Sequence, residues 1–380
     1  MAKVKFGDVV RETKEKVDRS NNPYEFYVAG DHMDTEDLTI RRKGRFATDD
    51  VGPAFIRVFH EGQVLYGSRR TYLKKIAVAD FDGVTANTTF VLETKDENIL
   101  RQRLIPFIMY TEKFTEWSVK KSKGSTNPYV LFSDLADYEF DLPSIEKQDE
   151  LVELLWSMVE AKDSYNALIS SIDELVKAQF IERFGEYKNQ MAKAGEIMLN
   201  LRNGVSPSKS GKHHERILTL SAVTQGKFDP SAWKDGYFNE CPAKDKRIQA
   251  HEFYMCRGNG NVALVGTGVY TTKAYSDLVF PDTVIAAQID DTRIRLPFLY
   301  VAWKMPDVRA QIVKNAKTTN GTYKINQNAI SAISLIVPPL LEQDDFLRFV
   351  QKSDKSKLEL EQAMKAMEAV YNKILSKNLG

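Results

Sequence analysis

The sequence predicts an α+β protein: two mixed α/β domains separated by a pair of long antiparallel coiled-coil-like helices, written as a pseudo-twofold internal repeat. Three observations predict it. The phrases LPSIEKQDELVELL, from Leu142, and VPPLLEQDDFLRFV, from Val337, stand 195 positions apart in 380 residues, close to half the length. Each opens a run of apolar residues at helical spacing with no proline or glycine inside it. Each follows a region of similar length that alternates short β-rich runs with turn residues.

The helices are justified first. At a constant offset of 195, no gap is needed from Leu142/Val337 to Gly185/Gly380, although only Pro143/Pro338, Gln148/Gln343, Asp149/Asp344, Lys162/Lys357 and Gly185/Gly380 are identical. The apolar pattern carries more weight. Leu151, Leu155, Met158, Tyr165, Ile169, Ile172 and Val176 follow alternating four- and three-residue steps, with Lys162 in one slot. Phe346, Val350, Leu360, Met364, Met367, Tyr371 and Ile374 repeat the steps, with Ser353 and Lys357 interrupting. This is the heptad pattern of helices that pack along one another. Each run starts after proline and stops at glycine. A helix over Glu146–Phe184 has 39 residues and, at about 1.5 Å per residue, spans roughly 58 Å. Such a rod cannot hide its seam alone, so the two pair with each other; the alternative is that each caps only its own domain. Lys162 and Lys357 are expected to snorkel outward.

The segments between the helices set the domains: 1–141 and 186–336 as the two mixed domains, 142–185 and 337–380 as helical spacers. Val130/Ile325, Leu135/Ile330 and Tyr138/Ile333 coincide as apolar positions at the same offset. With small gaps, HEGQVLYGSRRTYLKKIAVADFDGVTANTTFVLE also matches HEFYMCRGNGNVALVGTGVYTTKAYSDLVFPDTVIAAQ.

Composition excludes several classes. Hydrophobic residues at 43% and charged residues at 28% are ordinary for a globular protein, and a net charge of +1 advertises no nucleic-acid partner by itself. The charge is uneven, however: Leu142–Gly185 carries nine acidic and four basic residues, so the positive excess lies elsewhere. No apolar leader opens the chain and no run of about 18 apolar residues follows, so no membrane association is expected. Cys241 and Cys256 form no metal or disulfide pattern, and a reducing cytoplasm is the expected compartment.

No catalytic constellation emerges. NNPY at Asn21–Tyr24 and TNPY at Thr126–Tyr129 are read as Asn-Pro turns rather than methyltransferase loops. There is no P-loop. Of the five histidines, His213 and His214 are adjacent and therefore point apart, so no metal site is expected.

RNGVSPSKSG, ILTLSAVTQGKFD, RGNGNVALVGTGVY and NAKTTNGTYKINQNAISAISLIVPPLLEQ, with the long helix that follows, make the chain resemble the specificity subunit of type I restriction-modification systems. The resemblance covers essentially the whole chain, and its most specific feature is the P-x-x-x-x-Q helix opening found in both halves. The first half departs from the usual text at Tyr138 and Asp141, where aliphatic residues are common. The resemblance implies two target-recognition domains and a sequence-specific DNA-binding subunit without catalysis. The site it implies is bipartite and asymmetric, with half-sites about one helical turn, some 34 Å, apart. It also implies two modification (methyltransferase) subunits docked on the helices and restriction (motor-nuclease) subunits beyond them. S-adenosylmethionine, ATP and magnesium belong to those partners, and no cofactor to this chain. The alternative is a scaffold or assembly protein with duplicated helices that reads no DNA.

Candidate DNA contacts are Lys120, Lys121, Lys123, Ser125 and Asn127, with second-half counterparts Lys314, Lys317, Thr318, Thr319 and Asn320. Further candidates are Arg69, Arg70 and Tyr72, and Thr267, Tyr270, Thr272 and Lys273. Lysines and hydroxyls suit phosphate contacts, whereas Arg, Asn and Gln read base edges. Arg41, Arg42, Lys43 and Arg45 form a sharper basic cluster that reads equally well as a charged hairpin face.

Overall fold

The computed structural model describes residues 2–189, 191–319 and 321–380. The chain divides into two compact units, Met1–Leu168 with Glu359–Gly380, and Ile169–Leu358. Both long helices are thus divided near mid-length, whereas the sequence placed its boundaries at 141/142, 185/186 and 336/337. The physical reason is that half of each helix buries its seam in each unit.

The elements of the first half are β1 (Ala2–Lys5), α1 (Phe6–Val9), β2 (Val10–Thr13), β3 (Phe26–Val28), β4 (Gly44–Arg45), β5 (Phe55–Phe59), β6 (Val64–Gly67), β7 (Ile76–Val78), β8 (Gly83–Ala86), β9 (Thr89–Thr94), α2 (Ile105–Tyr110), α3 (Glu112–Lys121), α4 (Phe132–Ala136), β10 (Glu139–Leu142) and the long α5 (Ile145–Phe184). One sheet has the order β2-β9-β6-β7 and a second β4-β3-β8-β5, with β3 and β8 parallel; β1 pairs with β10. Strand β6 shows why the first sheet is apolar on both faces. Val64 and Tyr66 join the core beside α2, while Leu65 joins Val28 and Phe59 beneath the second sheet.

The second half has β11 (Met191–Lys193), β12 (Met198–Asn203), β13 (His213–Leu218), α6 (Ser221–Thr224), β14 (Trp233–Phe238), β15 (Arg247–Ile248), β16 (Glu252–Cys256), β17 (Gly258–Asn259), β18 (Gly268–Thr271), β19 (Tyr275–Val279), β20 (Val284–Ile289), α7 (Leu296–Trp303), α8 (Pro306–Asn315), β21 (Lys317–Thr319), β22 (Thr322–Lys324), α9 (Gln327–Ser331), β23 (Ser334–Ile336) and α10 (Leu340–Asn378). Its sheets run β12-β20-β16-β18, β14-β13-β19-β15 with β13 and β19 parallel, and β11-β23. The three orders repeat those of the first half strand for strand. The internal repeat is therefore one of topology, carried by largely different side chains. Val130, Leu135, Tyr138, Ile325, Ile330 and Ile333 are all buried.

Within each unit the long helices run in opposite directions. In the first, Leu151 and Leu155 of α5 share a core with Leu375 and Leu379 of α10. In the second, Phe180 and Phe184 share one with Phe346 and Val350. These are the same positions of the repeat with roles exchanged. Of the remaining seam positions, Val176 is buried, whereas Met158, Tyr165, Ile169, Ile172, Leu360, Met364, Met367, Tyr371 and Ile374 are half-buried. Lys162 and Lys357 do not simply point to solvent. Lys162 reaches Glu368 at 3.8 Å and Lys357 bonds Asp173, and Glu368 is the repeat counterpart of Asp173. A cation in the seam that meets its carboxylate in only one register favours that register.

At the start of α5, Gln148 is 1% exposed and fully used: its Oε1 accepts from the Arg101 amide at 2.9 Å, and its Nε2 donates to the carbonyls of Ile99 at 2.9 Å and Pro143 at 3.0 Å. Arg101 grips Asp149 through Nε and a terminal nitrogen at 2.6 and 2.9 Å. At the start of α10, Gln343 is 0% exposed, accepts from the Arg295 amide at 2.7 Å and donates to Arg293 at 2.9 Å and Pro338 at 2.7 Å. Arg295 grips Asp344 at 2.9 and 3.1 Å. The repeated proline, glutamine and aspartate are thus the visible part of one joint used twice. The guanidinium beside each aspartate holds its carboxyl below the usual range.

Cys256 is buried and its thiol is pushed up to about 11 by that burial, whereas Cys241 is exposed. One thiol is therefore expected to react with a disulfide reagent at pH 8 in the native chain, the second only after unfolding. Two fast equivalents would contradict this core.

Candidate nucleic-acid interface

In the first unit, the strand β6 continues through Ser68 and Arg69 and receives a loop. The Val130 amide donates to the Ser68 carbonyl at 2.9 Å and the Arg70 amide to that of Pro128 at 2.7 Å. Lys123 and Tyr129 close the loop through two backbone bonds of 2.7 and 2.9 Å. Gly124, at φ 88°, makes the turn that leaves Ser125, Thr126 and Asn127 exposed. Thus Arg69 and Arg70 are brought beside Lys123, Ser125 and Asn127, two clusters that lie over 50 positions apart in the sequence. Tyr72 is 55% exposed in the short 3-10 turn Thr71–Leu73. Arg70 and Lys74, on either side of that turn, hold the left-handed region at φ 51° and 46°. Such conformations cost about 1–3 kcal/mol each and persist where the surroundings enforce them. Lys120 and Lys121 end α3, with Lys121 over the Trp117 ring at 4.8 Å. Lys123 pairs with Asp134 at 3.0 Å, and its ammonium holds that carboxyl below the usual range.

The second unit builds the counterpart as a three-stranded sheet, β17-β22-β21. The Ile325 amide donates to the Arg257 carbonyl at 2.9 Å, as Val130 does to Ser68. Lys317 and Thr318 lie exposed on β21, Lys314 lies exposed in the last turn of α8, and Gly321 turns the hairpin at φ 72°. Thr319 belongs to β21, and Asn320 lies outside the described residues.

Thr267, Tyr270, Thr272 and Lys273 lie elsewhere in the fold than Arg69–Tyr72. They belong to β18 and its flanks, which match β7. Thr267 donates its hydroxyl to the Leu264 carbonyl at 2.8 Å. Tyr270 packs into the core with its ring 5.5 Å from Tyr300. Thr272 and Lys273 are exposed past the strand end, where the Lys273 amide donates to the Thr271 hydroxyl. The matching segment is Arg257–Leu264, whose 3-10 turn Val262–Leu264 answers Thr71–Leu73. Sequence reasoning therefore missed Arg257 and Asn259 as partners of Ser68 and Arg70, although the gapped match of the two histidine-led strings contained the signal. A cleft of about 220 Å³ lined by Asn203, Arg257, Asn326, Gln327 and Asn328 adjoins them. Amide side chains in that number suit base edges, adenine in particular.

The basic cluster near residue 41 lies exposed but is engaged within the first unit. Arg41 bonds Asp37 and Asp163, Arg42 bonds Asp34, and Arg45 bonds Glu25. Lys43 lies over the rings of Phe26 and Phe81 at 3.9 and 4.1 Å. Among the described residues, no group of three or more His, Cys, Asp or Glu is placed to hold a metal, and no helix is long and apolar enough to cross a membrane.

Comparison with known proteins bears on this arrangement. Residues 4–173 match the family described as the type I restriction modification DNA specificity domain. The chain is 25% identical over 284 residues to the type I restriction enzyme EcoKI specificity subunit of Escherichia coli K12, covering 67% of this chain and 60% of that subunit. It is 23% identical over 303 residues to the StySPI specificity subunit of Salmonella potsdam, covering 70% and 64%. The matched region thus spans less than two thirds of either relative. Among solved structures, the S subunit of a type I system from M. genitalium superposes with a TM-score of 0.53 at 15% identity, covering 100% of this chain and 95% of that one. A chain from a study of assembly and conformational transition of the type I R-M system gives 0.55 at 17%, covering 100% and 97%. These last two speak for the fold. Residues 4–173 thus match a type I restriction modification DNA specificity domain, and over two thirds of its length the chain is similar to specificity subunits of type I restriction enzymes.

Proposed function

We propose that this chain is the non-catalytic DNA-reading subunit of a type I restriction-modification complex and recognises a bipartite, asymmetric site. One observation carries the reading: the same exposed loop, docked on the same strand extension, is built once in each unit from different residues. Two like scaffolds with unlike loops suit two different half-sites. Arg69, Arg70, Lys120, Lys123, Lys314 and Lys317 serve phosphate contacts, and the amide-lined cleft near Asn326 serves base edges. The paired helices act as the ruler between half-sites and as the seat for two methyltransferase subunits. Methyl transfer, with the target adenine flipped out of the duplex, belongs to those partners, as does ATP-driven cleavage.

The test is to remove one heptad from the middle of each helix, residues 165–171 and 360–366. Seven residues correspond to about 10.5 Å of helix, or roughly three base pairs at about 3.4 Å each. Mapping methylated adenines in cells carrying the shortened subunit is expected to return the same half-sites with a shorter spacer. An unchanged spacer rules out the ruler, and altered half-sites rule out independent readers.

A further inference from the structure

The two helix joints carry a consequence for specificity. Each joint ties three segments together through one buried amide: the loop that leaves the central sheet (after β9 or β20), the residue leading into the helix, and the first helical turn. Both N–H groups of Gln148 and of Gln343 are used, and the oxygen of each takes the amide of the arginine that grips the next residue of the helix. The arginine closes the ring on its own loop, donating to the carbonyl four residues earlier: Arg101 to Glu97 at 3.1 Å, Arg295 to Asp291 at 3.3 Å.

Apolar contacts beside the joints, such as Phe107 against Trp156 and Phe298 against Phe346, are not directional. They hold a domain to a helix but tolerate a small change of angle more readily than a buried hydrogen bond does. Hydrogen bonds are directional, and a fully satisfied buried amide fits one arrangement only. We infer that Gln148 and Gln343, with the Arg101–Asp149 and Arg295–Asp344 pairs, are positioning residues that set how each reading domain leaves its helix, and through that the spacer length the protein accepts. The inference rests on the bipartite reading above. It assigns the joints no contact with DNA, so the half-site sequences are independent of them.

The test uses the complex assembled with wild-type partner subunits and a library of DNA in which the native half-sites are separated by the native spacer or by one base pair more or fewer. Gln148→Met and Gln343→Met remove the directional bonds. Arg101→Lys and Arg295→Lys keep the charge at half-exposed sites and lose the two-point grip, so they remain informative if a glutamine variant does not fold. The expected result is at least a tenfold loss of discrimination between native and off-by-one spacers, with unchanged half-site preference and a similar effect from either joint alone. A joint that only stabilises the fold would lower methylation of all spacers in proportion. That outcome in folded arginine variants, or unchanged discrimination, overturns the inference. If the wild-type complex yields no bipartite motif at all, the proposed function itself fails, which is a distinct result.

Discussion

Phe346→Ala is expected to destabilise the second unit by about 3–5 kcal/mol, the usual cost of emptying an aromatic side chain from a packed core. Phe346 is 0% exposed, and the rings of Phe180, Phe184 and Phe298 lie 5.7, 5.4 and 5.9 Å from its own. Those rings come from α5 and α7, so one truncation loosens the packing of α10 against both. Leu151 is its repeat counterpart in the first unit and is 2% exposed. Leu151→Ala is expected to cost about 2–5 kcal/mol. Urea unfolding, with amide exchange followed by segment, checks both. An effect of Phe346→Ala below about 1 kcal/mol, or exchange that quickens first outside 169–358, would contradict the packing described.

Replacing Arg69, Arg70 and Lys120 together by alanine is expected to weaken DNA binding and make its salt dependence shallower. Each phosphate that is no longer neutralised takes about 0.9 from the slope of log affinity against log salt, so three such phosphates take about 2.7. The contrast is the cluster at Arg41, Arg42, Lys43 and Arg45, whose charges are committed to Asp37, Asp163, Asp34 and Glu25 and to the rings of Phe26 and Phe81. Replacing Arg42 and Arg45 by alanine is expected to leave the slope unchanged. Titrations of the partner-bound complex between 50 and 200 mM salt distinguish the two. Equal slopes for wild type and the triple variant would remove this loop from the interface.

Much of the scaffold was legible in the sequence because it is periodic. The helix expected over Glu146–Phe184 runs Ile145–Phe184, starting after the proline and stopping at the glycine that marked it. The heptad phase agrees with burial at Leu151, Leu155, Val176, Phe346 and Val350. It passes over Phe180, Phe184, Leu375 and Leu379, because near these ends the helices also pack against sheet and helix cores, and a two-helix seam does not describe that wider apolar face. The joint partners Arg101 and Arg295 escaped for a simpler reason. They stand 47 residues before Gln148 and 48 before Gln343, so a fixed offset misses the match by one. At the candidate interface the limit was different again. Exposed loops obey no period, so Arg257 and Asn259 went unnamed although they hold the places of Ser68 and Arg70.

The first unit draws on both ends of the described chain, 2–168 and 359–380, whereas the second is continuous from 169 to 358. During synthesis the second unit therefore has all of its residues while the first still lacks Leu375 and Leu379, two members of its buried core. Vectorial emergence from the ribosome is thus out of step with completion, and the first unit must wait for residues 359–380 before its core is whole.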